Sequence, residues 1–378
     1  MEAERWLVDE LRRLGLWADI DPAGNVVGRW TGEQAGAVVI GSHLDTVPLG
    51  GRYDGALGVL CGLAAVRSLK QSQISPRRSI WLMSFMDEEG ARFRTPLFGS
   101  RAFAGEELGD LGDRRDADGV TLREAMGAAG FDFERIQQAR GIEEVAAYVE
   151  LHIEQGRVLE SAGTDVGVVT ELAGMLGARA LFRGRADHAG TTSMGDRSDA
   201  LVGAARAVVA LRDEAARHVG LLRMTVGTME VHPGGFNVIP ESCEFSIDVR
   251  VGGRNGLIEA EETVRRILSE IAAAERLEHE MRLTHRQEAV QFDPKIIEAL
   301  AAAAAAEGAS WVELVSGAGH DAMIVGRQAP AGMLFVPSRG GISHSPDEFT
   351  SPEACQVGAR VLARAVTALS MQATEGSG

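Results

Sequence analysis

Cysteine is scarce in this sequence. Its three residues, Cys61, Cys243 and Cys355, are odd in number, far apart and never in a CxxC pair. That excludes a disulfide framework and a thiolate metal site, and the three read as small buried apolar residues. Basic residues are also few: 38 Lys and Arg stand against 54 Asp and Glu, a formal net charge of −16. With no Lys/Arg-dense stretch, the chain lacks the footprint that a phosphate backbone requires, so nucleic acid is not an expected partner. No apolar run approaches the ~18 to 20 residues of a membrane span. The opening Met1 to Gly15 carries Glu2, Glu4, Asp9 and Glu10, unlike the basic-then-apolar start of a secretory signal, and the expected location is the cytoplasm. Also missing are a GxSxG elbow, an HExxH helix, a phosphate-binding GxxxxGK[ST] and a dinucleotide fingerprint, which removes the mechanisms that depend on them.

At ~150 residues per domain, 378 residues predict two domains or three. Helical spacing of Leu7, Leu11 and Leu14 opens the chain, followed by β-like runs at Val26 to Trp30 and Ala37 to Ile40. A helix is predicted over Ala56 to Lys70, a buried strand over Ser79 to Met86, and a helix over Thr121 to Ala129 with a Thr121/Glu124 capping box. Another strand is expected over Ala147 to Ile153. Alternation of this kind predicts an α/β core with at least partly parallel pairing. After about Leu172 the order becomes strand 178–184, helix 198–218, strand 221–231, strand 243–251, helix 256–274 and strand 280–288. That βαββαβ series is the ferredoxin-like unit. The core pattern returns from Phe292, with an Ala-rich helix, an apolar strand at Met333 to Val336 and a last helix over Ser351 to Leu369. The expected boundaries are 1–173, 174–290 and 291–378, so the second domain is an insertion.

Four clusters can carry chemistry, several where a strand runs out into a Gly-rich turn, the usual position of sites in open α/β sheets. In AVVIGSHLDTVPLGGRYDG (37–55), His43 and Asp45 share a face of an extended backbone, so Asp45 could fix the His43 tautomer. Asp54 offers either a hard oxygen ligand or a helix N-cap. In SIWLMSFMDEEGARF (79–93), Asp87, Glu88 and Glu89 repel one another at a strand mouth unless a cation or water neutralises them. A metal would leave one carboxylate as ligand and a neighbour as base. His152 in YVELHIEQG (148–156) is either a hydrogen-bonded core residue or a ligand. His344 in SRGGISHSPDEF (338–349) lies in a loop with no apolar face, which favours a site. Imidazoles and carboxylates without thiolate suit Zn²⁺, Mn²⁺, Co²⁺ or Ni²⁺, and they exceed one tetrahedral site, so two metals sharing a carboxylate is the natural reading. In the insertion, His188 beside Asp187, Asn237 in GGFNVIP and Arg250 ending SIDVR are solvated polar groups or the groups that bind an oxyanion and a substrate carboxylate. His218, His279 and His285 have no such setting and read as structural.

The ordered run GSHLDTVPLGGRYDGALGVL, DEEGARF, LHIEQG, ADHAGTTSM, GGFNVIP, DVR, SGAGHDA and GISHSPDEFT resembles the hydantoinase/carbamoylase branch of the M20 metallopeptidase family. The resemblance covers nearly the whole chain. It implies a phosphorylase/hydrolase-like zinc-exopeptidase α/β/α catalytic domain with an inserted ferredoxin-like lid and dimerisation domain. It also implies two divalent metal ions, zinc first, held by His43, Asp54, Glu89, His152 and His344, with Asp54 bridging. By the same resemblance Glu88 is the general base, Asp45 orients the first His, and His188 stabilises the oxyanion in its own subunit or the partner's. Asn237 and Arg250 hold the substrate, Arg250 taking its carboxylate, while Gln155, Gly319 and His320 line the pocket. The implied reaction is hydrolysis of the ureido C–N bond of an N-carbamoyl-L-amino acid, with allantoate or β-ureidopropionate as alternatives, in a homodimer formed through the lid. His152 and the GGRYDG spacing set the chain apart from the dipeptidase and aminoacylase members, and the complete ligand set sets it apart from a non-catalytic relative. Two departures stand out: Ser193 replaces a usual Pro, and relatives often carry some tens of residues ahead of the opening helix.

Overall fold

A computed structural model describes residues 1–218, 220–253 and 255–372. It begins with α1 (Glu2–Arg13), β1 (Trp17–Ile20), β2 (Val26–Trp30), β3 (Gln34–His43), α2 (Ala56–Gln71) and β4 (Arg78–Phe85). Short helices α3 (Phe98–Phe103) and α4 (Leu122–Ala128) lead to β5 (Val145–Ile153), α5 (Val158–Ala162) and β6 (Val166–Leu172). Next come β7 (Gly174–Arg183), α6 (Ala200–Arg217), β8 (Leu222–Thr225), β9 (Met229–His232), β10 (Ser242–Val251), α7 (Gly256–Glu275) and β11 (Glu278–Gln287). The last elements are β12 (Val290–Gln291), α8 (Pro294–Ala306), β13 (Trp311–Ser316), α9 (Asp321–Val325), β14 (Ala331–Val336) and α10 (Pro352–Met371). The chain divides into two compact units. One holds Met1–Thr170, Phe292–Leu314 and the residues from Ala318 onward; the other holds Glu171–Gln291 and Val315–Gly317.

In the first unit the strand order is β1-β2-β4-β3-β5-β14-β6, with β13 also on β6. The middle of this sheet, β4-β3-β5-β14, is parallel, and its register sets His43 beside Phe85 and Val336 beside Ile153. Four strands therefore deliver their carboxyl ends to one edge. Alternation divides the apolar residues between two faces. Val38, Ile40, Leu82, Val149, Leu151 and Leu334 pack with residues of α2, α8 and α10, while Phe93, Phe98, Leu108, Phe133 and Ile136 form a separate core. This is an α/β/α arrangement. Helix starts follow local chemistry: α4 has the Thr121/Glu124 capping box, and α10 has Ser351 capping ahead of Pro352.

The second unit is an antiparallel sheet ordered β11-β7-β10-β8, with β9 also on β10. With α6 and α7 it forms the βαββαβ ferredoxin-like fold. On β10, Cys243, Phe245, Ile247, Val249 and Val251 are buried in the core with α6 and α7, leaving Asp248 and Arg250 on the other face. The single strand expected over 221–231 is instead two, β8 and β9. Between them Ser246 Oγ accepts the Gly227 and Thr228 amides at 3.2 and 3.0 Å, so a side chain replaces the ladder for two residues. β1, β6 and β13 have no counterpart in the sequence reading. Cys61 and Cys243 are buried as expected, and Cys355 is half-buried.

Candidate metal centre

Each ligand candidate in the first unit follows from the end of one parallel strand. His43 is the last residue of β3, Asp87 to Glu89 follow β4, His152 is the penultimate residue of β5, and His344 lies in the loop after β14. Asp54 precedes α2. It does not cap that helix, whose N-cap is Gly55 with a positive φ of 65°. A side chain at Gly55 would overlap the His43 ring, so glycine here lets the loop pass close over the imidazole.

Asp54 lies at the centre of the cluster. Its Oδ1 is 3.0 Å from His152 Nε2 and 3.7 Å from His43 Nε2, and its Oδ2 is 3.5 Å from His344 Nε2. His344 Nε2 is in turn 3.2 Å from Glu89 Oε1. Two groups with ligand atoms within 4.8 Å result, His43/Asp54/His152 and Asp54/Glu89/His344, and they share Asp54. Imidazole and carboxylate donors in this pattern, buried in the first group and partly exposed in the second, suit two divalent cations bridged by one carboxylate.

Burial and mutual charge together set the protonation of these groups. Burial alone would raise the Asp54 carboxyl, yet His152, Ser343 and His43 together hold it well below the usual carboxylate range. Burial alone would lower His152, and Asp54 outweighs it, carrying the imidazole up to about 9. Burial dominates at His43 and holds it below its ordinary value. His43 Nδ1 is 3.0 Å from the Asp45 carbonyl oxygen, while His152 Nδ1 is 3.0 Å from that of Ile153. Each carbonyl accepts from Nδ1–H, which leaves Nε2 aimed at Asp54.

The three adjacent acids separate. Asp87, at φ 52°, accepts from Thr95 Oγ1 at 3.1 Å, and burial pushes it up to about 6. Glu89 faces His344 and is raised to about 7 by burial and then by Asp54. Glu88 is buried, its Oε2 3.7 Å from His43 Nε2, and burial followed by Asp321, Glu89 and Glu150 raises it well above an ordinary glutamate. The solvated-turn alternative for these acids does not hold. Asp45 differs from expectation: the carbonyl, not the carboxylate, meets His43. Its carboxylate is 3.8 Å from Nδ1 and accepts the Glu88 and Glu89 amides at 3.2 and 3.0 Å. It therefore fixes the turn that carries both glutamates.

Gln155 donates from Nε2 to Asp54 Oδ2 at 2.7 Å, and Ser343 Oγ makes a short hydrogen bond to the same oxygen. His320 is buried against His152, ring centroids 4.5 Å apart, and burial lowers its pKa well below 6.5. Nothing lies within 4 Å of where a Gly319 side chain would start. Sequence reasoning passed over Ser343, Glu150, Asp321 and Glu348. Glu150 was legible, because alternation on β5 puts it on the face of Tyr148 and His152. It accepts from Ser42 Oγ, Tyr148 Oη and the Ala322 amide. Glu348 had no local signal.

In the second unit, His188 is exposed and its Nδ1 accepts the Gly190 amide at 3.0 Å, which leaves Nε2 as the ring's donor in the neutral form. His188 also bridges to Val238, beside the exposed Asn237. Arg250 is not an idle cation: its Nε and Nη2 donate to the two oxygens of Asp248 at 2.9 and 3.2 Å. Among the described residues no helix is long and apolar enough to cross a membrane.

Residues 39–368 match the model of peptidase family M20/M25/M40. The chain is 42% identical over 363 residues to an N-carbamoyl-L-amino acid amidohydrolase of Geobacillus stearothermophilus, covering 93% of this chain and 87% of that one. It is 39% identical over 365 residues to an allantoate amidohydrolase of Bacillus subtilis (strain 168), covering 96% and 88%. A crystal structure of a hydantoinase/carbamoylase family amidase from Burkholderia multivorans superposes with a TM-score of 0.90 at 36% identity, covering 98% of this chain and 90% of that one. The shared carboxylate between two histidine-bearing groups, the inserted ferredoxin-like unit and these likenesses converge: the chain belongs to peptidase family M20/M25/M40, in its hydantoinase/carbamoylase branch.

Proposed function

We propose that this protein is a metal-dependent amidohydrolase that cleaves the ureido C–N bond of N-carbamoyl-L-amino acids, yielding the amino acid, ammonia and carbon dioxide. The observation that carries the reading is Asp54, one carboxylate serving two ligand groups, with the buried Glu88 beside them. His43, His152 and Asp54 would hold one cation, and Asp54, Glu89 and His344 the other. Zinc fits this nitrogen and oxygen donor set, with manganese, cobalt or nickel as alternatives. When bound, such cations polarise a carbonyl and bring the pKa of water towards ~7.

The chain's own groups do the rest. Glu88 accepts a proton from the attacking water and delivers it to the leaving nitrogen; its raised pKa favours a carboxyl that keeps the proton between those steps. Asp45 fixes the backbone that aims Glu88 and Glu89. His188, with Nε2–H outward, donates to the oxyanion. Arg250 exchanges Asp248 for the substrate carboxylate, one bidentate partner for another, and Asn237 holds the ureido group. Gln155, Gly319 and His320 border the substrate at the metal centre. In this reading the first unit is the catalytic domain, the ferredoxin-like unit is a lid and dimerisation domain, and the protein is cytoplasmic.

Allantoate is the rival substrate, supported by a relative nearly as similar as the carbamoylase, and β-ureidopropionate is a third ureido carboxylate of the same chemistry. Elemental analysis of the purified protein, with ammonia release from a panel of N-carbamoyl-L-amino acids, allantoate and β-ureidopropionate, tests the reading. Two equivalents of metal and preferential turnover of N-carbamoyl-L-amino acids are expected. Preference for allantoate would assign the rival, and a metal-loaded protein that releases ammonia from none of them would refute the reading.

A further inference from the structure

Glu348 lies in the loop that also carries His344, yet its carboxylate serves the loop of Asp54. It is 2% exposed, and its Oε1 accepts two backbone amides, Tyr53 at 2.7 Å and Asp54 at 3.0 Å. Its other oxygen, buried as well, accepts no hydrogen bond from any described residue. A buried carboxylate is costly unless its bonds are strong, and two charge-assisted bonds from successive amides are of that kind. The Asp54 loop is shaped to admit it: a side chain at Gly51 would overlap the Glu348 carboxylate. Asp54 and Glu348 are 294 residues apart in the chain, so this contact ties the two ends of the catalytic unit at the residue both ligand groups share.

We propose that Glu348 is a positioning residue for the bridging carboxylate, clamping the Tyr53–Asp54 backbone so that one Asp54 oxygen faces each ligand group and both metal sites form together. The proposal rests on the two-metal reading above. A mere loop staple would affect stability; a clamp on the shared ligand affects both metal sites at once.

The test is a Co²⁺ titration of the metal-free protein, followed by d–d absorption and equilibrium dialysis, with circular dichroism as the folding control. Wild type should take two ions; if it does not, the two-metal reading fails before Glu348 is tested. Glu348→Ala should stay folded and weaken both sites by about 10- to 100-fold, the usual effect of losing a group that orients a metal ligand. His344→Ala should weaken one. Glu348→Gln, which keeps an acceptor at the clamp, should stay near wild type. Should Glu348→Ala not fold, Glu348→Asp, shorter by one methylene, carries the same expectation. Wild-type affinity at both sites in the folded variant overturns the proposal. So does loss of a single site, or a Glu348→Gln protein as weak as Glu348→Ala.

Discussion

Glu88 is an acid in a turn that the fold buries. Three adjacent acids in a Gly-rich turn read equally as a wet surface and as a site, and only burial separates the two. With Oε2 3.7 Å from His43 and no place in either ligand group, Glu88 fits the proposed role of proton carrier. Glu88→Gln should therefore keep both metals and lose kcat by two to four orders of magnitude, the usual range for a positioned base; wild-type turnover would remove Glu88 from that role. Arg250 makes the opposite case. In the proposed role its pairing with Asp248 sets the substrate carboxylate in competition with an internal one. Arg250→Ala should raise KM for carboxylate substrates by at least tenfold with a smaller effect on kcat, while Asp248→Ala should lower KM. Unchanged KM in both would place the substrate carboxylate elsewhere.

At the scale of elements, legibility follows length and local chemistry. The long helices and most of the buried strands were readable because periodicity holds over many residues, as in the Ala-rich α8, and a cap made even the short α4 legible, although the buried β6 was not read. β1 and β13 were missed because both are exposed or half-buried at most positions and carry no buried apolar run, and the 221–231 strand broke because Ser246, on a neighbouring strand, supplies a competing acceptor. Caps matter in the inserted unit too. Asp199 Oδ1 accepts the Leu201 and Val202 amides at 3.0 and 3.1 Å, starting α6. Asp199→Ala should cost about 1 kcal/mol in chemical unfolding with the metal content unchanged; a loss of metal would mean that α6 does more than complete its own unit.

For the whole molecule, the candidate metal centre is a concentration of buried acid that a cation or protons would balance. Glu150, with burial the largest cause, is raised from an ordinary 4.5 to about 7, and Glu88 moves the same way. A carboxyl whose folded pKa is raised contributes its relative stability fully below its unfolded value and loses it as pH climbs through the folded one. The metal-free protein should thus lose stability from about pH 4.5 through 7. A bound divalent cation favours the ionised forms and offsets that loss. The gain in Tm on adding Co²⁺ should accordingly grow from pH 5 to pH 8; a gain that is flat or shrinks with pH would show that these acids are not coupled to the metal.

The sequence by itself determined the residue types, most of the strand and helix order and the ferredoxin-like order of the second unit, and its ordered motifs offered five candidate ligands, because these depend on periodicity, turn chemistry and motifs along the chain. It could name His43, Asp54, Glu89, His152 and His344, but the metric among them, one Asp54 oxygen towards each group, exists only where parallel strands align their carboxyl ends. Tertiary structure alone decided that Asp45 acts through the Glu88 and Glu89 amides, and that Glu348 reaches the Tyr53 and Asp54 amides from the far end of the chain. The reason is physical: a hydrogen bond is set by distance and direction in space, and when partners are separated by hundreds of residues only the fold supplies either.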